Sequence, residues 1–287
     1  MRLVVPILTV VAAIVALWYA GSVWMNSQWT LDQAARNKQT LSFTQIVRDT
    51  MDQKRPVLPA PHQVAEGLWQ GVFGQAVTSK RSLVYHAWIT LSATLLGFAI
   101  GAGLGVLLAV GIVHNRAMDM SVMPWAIASQ TIPILAIAPM IIVVMASIGV
   151  TGLFPKAVIS AYLSFFPVVV GMVKGFRSPD AMQLDLLRTY SASRAQTFWK
   201  LRFPASMPYF FTSLKIAAAA ALVGAIVGEL PTGAVAGLGA RLLSGSYYGQ
   251  TVMIWSALFM AAIVAAAMVG VIGALQAVTL KRMGMRQ

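Results

Sequence analysis

The sequence predicts an all-α integral membrane protein with six transmembrane helices, and three observations carry that reading. Of its 287 residues 58% are hydrophobic and only 10% charged, too few charges to cover a soluble domain. The apolar residues gather in runs free of ionised groups and long enough to cross a bilayer, which takes ~20 residues. The net charge of +13 comes from Lys and Arg spread among the loops between those runs. It therefore reads as membrane orientation and not as nucleic-acid binding. There is no cysteine, which removes disulfides and thiolate metal sites.

The first span runs from Leu3 to Met25, within an anchor segment at residues 1–25. A cleaved signal peptide is the competing reading. Against it, the run is longer than a signal core, and Trp18, Tyr19 and Trp24 stand where a cleavage site needs small residues. These aromatics read as an interfacial belt. Residues 26–81 form a polar extramembrane insert on the outer side. Phe43, Ile46, Val47 and Met51 give it one short amphipathic helix, and Pro56, Pro59 and Pro61 then impose an extended or turning segment.

The second span, Ser82 to Asn115, opens a core at residues 82–281 and carries Gly97, Gly101 and Gly105 at four-residue spacing. One face is thereby stripped to backbone, so another helix can approach closely, either inside the chain or from a second copy. Ser121 to Pro155 is uncharged, too long for one upright crossing, and contains Pro124, Pro133 and Pro139. It reads as a broken or kinked helix facing a pathway, with Gln130, Thr131 and Pro133 as pathway candidates. Local bonding of Gln130 and Thr131 to their own helix is the alternative. Ala157 to Val173 makes the fourth span. The fifth, Met207 to Leu230, holds Lys215 near one end and Glu229 at the other, about 21 Å apart along the axis and unable to pair. Glu229 has three readings: a gate, a substrate contact or an interfacial charge. A glycine-rich connection follows, and the sixth span, Thr251 to Leu280, ends in a short tail at residues 282–287.

Between the fourth and fifth spans, residues 178–208 form the one long charged, amphipathic stretch. Ser178, Pro179 and Asp180 open a helix with an apolar stripe at Met182, Leu186 and Tyr190. Ser193 with Gln196 has the form of a capping box for a second helix, which Pro204 and Pro208 close. This helix-turn-helix resembles the loop that defines the inner-membrane permeases of ATP-binding-cassette importers: E-A-A, three residues, G, nine residues, I-x-L-P. The matching positions are Asp185-Leu186-Leu187, then Ser191-Ala192, then Leu201 to Phe203-Pro204. The departures are Asp for Glu, two Leu for two Ala, Ser for Gly and Phe for Leu. Val57 to Val64 resembles the Pro-rich lead-in of the nitrate, sulfonate and pyrimidine-precursor group of that family. Glu229 with Gly237-Leu238-Gly239 resembles the group's outer connection.

The resemblance implies a type I importer permease fold and a translocation subunit without covalent chemistry of its own. It implies two ATPase subunits that bind ATP and Mg, with the residues named above docking as a coupling helix. It also implies an extracytoplasmic solute-binding protein, a homodimer of permeases, and a solute such as a thiamine-precursor pyrimidine or related heterocycle, with sulfonate or nitrate as the alternative. The chain itself would bind no cofactor, metal or nucleic acid. Charge agrees independently. With both termini in the cytoplasm of a bacterial inner membrane, short inner segments hold Arg2, Arg116, Lys174, Arg177, Arg188, Arg194, Lys200, Arg202, Lys281, Arg282 and Arg286, against Lys156 and Arg241 outside. An ion-coupled secondary transporter is the rival. It calls for ionisable groups at mid-span, and the sequence places none there.

Overall fold

The computed structural model describes residues 4–231 and 234–285, and these are helical with no strand among them. Met1, Arg2 and Leu3, the Thr232-Gly233 pair of the outer connection, and Arg286 and Gln287 of the tail lie outside the described residues. In chain order the helices are α1 Val4–Arg36, α2 Phe43–Met51, α3 Pro61–Phe73, α4 Leu83–His114, α5 Arg116–Ser129 and α6 Ile134–Ser147. They continue as α7 Leu153–Phe176, α8 Ala181–Thr189, α9 Arg194–Thr197, α10 Phe203–Glu229, α11 Leu238–Tyr247 and α12 Thr251–Arg282. Among the described residues α1, α4, α7, α12 and the continuous run Arg194–Glu229 are each long and apolar enough to span a membrane.

The chain divides into two units, residues 1–86 with 240–260 and residues 87–239 with 261–287. In the first, α1 does not stop where the sequence turns polar at Asn26. Its buried face is Ser22, Asn26, Thr30 and Ala34, a polar stripe at helical spacing that holds the insert. The Asn26 side chain accepts from the Val57 and Leu58 N–H groups at 2.7 and 3.2 Å and donates to the Leu58 carbonyl at 2.8 Å. Gln53 donates to the Asn26 carbonyl and to Thr30 Oγ1. Trp18 joins the same clamp: its indole N–H donates to the Pro59 carbonyl at 3.0 Å, and its ring lies 5.0 Å from that of Trp255. Pro61 starts a helix where the sequence suggests only an extended segment, because the first helical position has no use for the missing N–H.

In the second unit α7 lies against α4 and α10 along seams of small residues. A Cβ on Gly97 would come within 2.4 Å of Ser160, and one on Gly105 within 2.7 Å of Val168. Gly224 and Gly228 of α10 face the α7 backbone at Ser160 and Lys156. The glycine face of α4 is therefore a packing seam inside the chain. On the α10 side of α7, Ser160 Oγ donates to the Ala221 carbonyl at 2.8 Å. Toward one end the seam merges into a core of Ile112, Phe165, Val168, Met172, Phe176 and Phe198.

α5 and α6 meet at 98°. Asp119 on α5 pairs with Arg177 at the end of α7 at 2.8 Å, while α6 packs Ile134, Ala138 and Ile142 on Ile159, near the start of α7. Between them the Tyr162 hydroxyl donates to the Ser129 carbonyl. The bent pair thus climbs the length of α7 and makes the sixth crossing.

The α4 seam is testable at two glycines of one helix. Gly101→Ala puts a Cβ 2.1 Å from Ser164 Oγ and 2.8 Å from the Ala161 carbonyl, and should cost about 1–3 kcal/mol. Gly103 has nothing within 4 Å, so Gly103→Ala should be neutral or stabilising by up to about 1 kcal/mol. Equal thermal midpoints for the two variants in detergent would contradict the seam.

Candidate functional site

Two arrangements at opposite ends of the second unit account for most of the residues singled out from the sequence. The first is an elbow made by α8 and α9. Asp180, not Ser178, precedes the first turn of α8, and its N–H donates to the Gln183 side chain at 3.3 Å. The helix ends in a left-handed residue, Ser191 at φ +53°. The Ser191 N–H donates to the Arg188 carbonyl and the Ala192 N–H to the Leu187 carbonyl, at 2.9 and 3.0 Å. This is a Schellman cap, which favours glycine because a Cβ costs about 1–2 kcal/mol in that conformation. Ser193 and Gln196 form the reciprocal capping box that their spacing predicts.

Pro204 and Pro208 do not close the second helix. At Phe198–Arg202 the helix widens by one residue per turn, with the Phe203 N–H donating to the Phe198 carbonyl five positions back. The wide turn shifts the carbonyls that the Pro204 ring would otherwise meet. Residues 194–229 therefore make one helix of 36 residues, about 54 Å long. This length moves Lys215 away from the helix end: it lies about 18 Å from Phe203 and about 21 Å from Glu229, half-buried beside Gly273.

The elbow is fastened by Phe198, which the motif does not include. Its ring is buried 5.0 Å from that of His114 on α4 and 5.2 Å from that of Phe176 on α7. The adjacent Phe and Trp in an otherwise polar stretch were the available signal. Arg202 donates to the Phe176 carbonyl at 3.1 Å, and Leu201, Phe203 and Pro204 are half-buried around it. On α8, Leu187 is half-buried, whereas Met182, Leu186 and Tyr190 are 82%, 57% and 77% exposed. The apolar stripe thus faces away from its own chain. Asp185 beside it pairs with Arg188 at 2.9 Å.

The second arrangement surrounds Glu229, which is fully buried and so is not an interfacial charge. Thr90 of α4 donates to both carboxylate oxygens at 3.0 Å, and the Gly239 N–H donates to Oε2 at 2.8 Å. The Leu238 N–H in turn donates to Thr90 Oγ1 at 2.8 Å. Lys156 of α7 places Nζ 3.7 Å from Oε1. Gly237 has φ +127°, and a Cβ there would lie 2.2 Å from the Glu229 carboxyl carbon. The Gly-Leu-Gly motif therefore wraps the carboxylate because nothing larger fits. Thr90 lies 139 residues from Glu229, so no local spacing announces it.

A cavity of about 640 Å³ adjoins this latch, lined by Lys156, Ser92, Ile142, Ala146, Thr151 and Val235 among others. Glu229 does not line it. Gln130, Thr131 and Pro133 sit apart at the α5–α6 break, where Thr131 Oγ1 donates to the Ala128 carbonyl and Pro133 precedes the first turn of α6. Among the described residues no cluster of metal-ligating side chains occurs.

A family model described as binding-protein-dependent transport system inner membrane component matches residues 101–285. The chain is 32% identical over 184 residues, 64% of its own length and 68% of the relative's, to the formylaminopyrimidine transport permease protein ThiX of Halalkalibacterium halodurans. It is 31% identical over 186 residues, 65% of each chain, to the riboflavin transport system permease protein RibX of Chloroflexus aurantiacus. It is 25% identical over 183 residues, 62% of its length and 64% of the relative's, to the nitrate import permease protein NrtB of Synechocystis.

Two substitutions probe these ends. Glu229→Ala leaves Lys156 without a counter-charge and the Gly239 N–H unpaired, and should cost about 3–5 kcal/mol in thermal or denaturant unfolding. Ser191→Gly relieves the left-handed turn and should raise stability by about 1 kcal/mol, with Ser191→Val lowering it. A Ser191→Gly variant less stable than the parent would refute the cap.

Proposed function

Because the chain belongs to the family of inner membrane components of binding-protein-dependent transport systems, we propose that it works as one of two identical permeases that import a small heterocyclic solute of the thiamine-precursor pyrimidine kind. The family makes it a multi-pass inner-membrane permease of an ATP-binding-cassette importer. In the proposed assembly two separate ATPase subunits bind ATP with Mg and dock on the elbow, and an extracytoplasmic binding protein delivers the solute.

The single observation that carries the docking role is the unpartnered stripe of Met182, Leu186 and Tyr190 on a helix otherwise rich in polar groups. A capped, preformed helix presenting such a stripe loses little entropy on entering a groove. Arg116, Lys174, Arg177, Arg188, Arg194, Lys200 and Arg202 gather on the segments at this end, which favours a cytoplasmic position and inside termini. In this reading Asp185, Leu186 and the stripe make the contact. Leu187, Ser191 and Ala192 shape the cap, and Leu201, Phe203 and Pro204 form the joint to α10.

Force then has two routes. Phe198 carries movement of the elbow to the ends of α4 and α7, and the uninterrupted helix carries it to the Glu229 latch. A rigid-body rotation of this kind needs no bond to be made or broken in the chain. The cavity beside Lys156, with apolar walls and the Ser92 and Thr151 hydroxyls, is the proposed outer end of the path, and the α5–α6 break with Gln130, Thr131 and Pro133 borders its inner part. The solute assignment is supported by the two heterocycle permeases at 32% and 31% identity. The nitrate permease at 25% supports the second reading.

Leu186→Asp and Met182→Asp should each abolish copurification of the ATPase with tagged permease and reduce ATP-driven uptake at least tenfold, while the solubilised chain keeps its thermal midpoint. Retention of the ATPase by both variants would remove the docking role. Uptake of labelled formylaminopyrimidine, riboflavin and nitrate by the complete transporter decides the solute.

A further inference from the structure

Residues 36–81 carry seven cations, Arg36, Lys38, Arg48, Lys54, Arg55, Lys80 and Arg81, and the fold of the first unit gathers three of them with a fourth from a remote segment. Lys54 and Arg55, in the loop between α2 and α3, and Arg81, just before α4, stand with Arg241 of α11 around a cavity of about 380 Å³. No Asp or Glu lines it. None of the four cations makes an ion pair among the described residues, where the pairs formed all involve other groups.

Arg241 is the informative member. One terminal nitrogen donates to the Lys80 carbonyl at 2.9 Å, but the other reaches only Met253 Sδ at 3.2 Å, a weak acceptor. Its Nε is buried without any partner. A guanidinium is built to satisfy oxygen acceptors in a planar fork, so this one is short of an acceptor on the Nε side. Burial also pulls its pKa below the ordinary guanidinium value, as expected of a cation lacking counter-charge. Lys54, Arg55 and Arg81 are exposed and Arg241 is half-buried. The charge is therefore arranged around a concavity, where low-dielectric walls focus the field on an entering anion. The remaining lining includes the apolar Leu83, Val252 and Met253 beside the polar Gln250 and Ser256.

We propose that this pocket binds a small amphipathic oxyanion. Its phosphate, sulfonate or carboxylate head is held by Arg241, Arg81 and the Lys54–Arg55 pair, and a short apolar body lies against Leu83 and Val252. A bound oxygen offers the terminal nitrogen that now meets only Met253 Sδ a stronger acceptor. A free solute and the phosphodiester head of an anionic lipid share this chemistry. The bound anion would also fasten the insert and the first turn of α4 to α11 and the start of α12, since the groups it touches belong to these segments. The site is independent of the transport reading.

The test uses the full-length chain in neutral detergent, titrated with inorganic phosphate or butanesulfonate against potassium chloride of equal ionic strength. A parallel arm compares nanodiscs of phosphatidylglycerol and phosphatidylcholine. A saturable rise in unfolding midpoint of about 3 °C is expected in at least one arm. Arg241→Gln and Arg81→Gln should each remove at least half of it, and Arg282→Gln should keep it. A rise with the soluble anions assigns the site to a free solute, and a rise in phosphatidylglycerol alone assigns it to lipid. Because Arg81 is exposed, Arg81→Gln reports even where Arg241→Gln fails to fold. No rise over chloride and phosphatidylcholine, a rise undiminished in Arg81→Gln, or a rise produced only by an added protein partner would each overturn the proposal.

Discussion

Close approach of three helix backbones is the constraint on which the rest of this molecule depends. Lipid chains are as apolar as leucine, so helices in a bilayer are held by dispersion and polar contacts that act only at short range. Gly97, Gly101 and Gly105 on α4, and Gly224 and Gly228 on α10, leave α7 no side chain to stand off from. The serine hydroxyls of α7 then reach carbonyls on its neighbours, Ser160 to Ala221 and Ser164 to Gly97. Both functional ends follow from this seam. At one end it brings Thr90, Lys156 and Glu229 from three helices into contact, and at the other His114, Phe176 and Phe198.

The two ends are also joined by one stiff element. A proline pair at Pro204 and Pro208 would ordinarily break a helix, and the sequence reads as though it did. The wide turn at Phe198–Arg202 lets the helix continue through these prolines, so elbow and latch share a single helix. Wide turns of this kind often occur at functional positions, and here the turn coincides with the aromatic knob that fastens the elbow. The buried carboxylate at the far end is held by two neutral donors and one ammonium.

The first unit solves a different problem. Its insert is held by buried amides, with Asn26 meeting the Val57 and Leu58 N–H groups and Gln53 donating to the Asn26 carbonyl and to Thr30. Such networks stabilise only when complete. The one buried side-chain donor left without a partner among the described residues, Arg241 Nε, therefore stands out as the place where the chain alone does not finish its own structure.

The sequence by itself determined the fold class, the elbow with the capping box of its second helix, and the family, because these depend on local periodicity and spacing: long apolar runs, a Ser-x-x-Gln box, and a motif with fixed gaps. It also located Glu229 and its Gly-Leu-Gly partner, since both lie within one short segment. Tertiary structure alone decided that the glycine face of α4 is internal, that Lys215 lies at mid-helix, and that Phe198 and Thr90 complete the two sites. It also decided that four scattered cations enclose one cavity. Each of these turns on contacts between residues remote in the chain or on a helix continuing through prolines, and neither leaves a mark in local spacing.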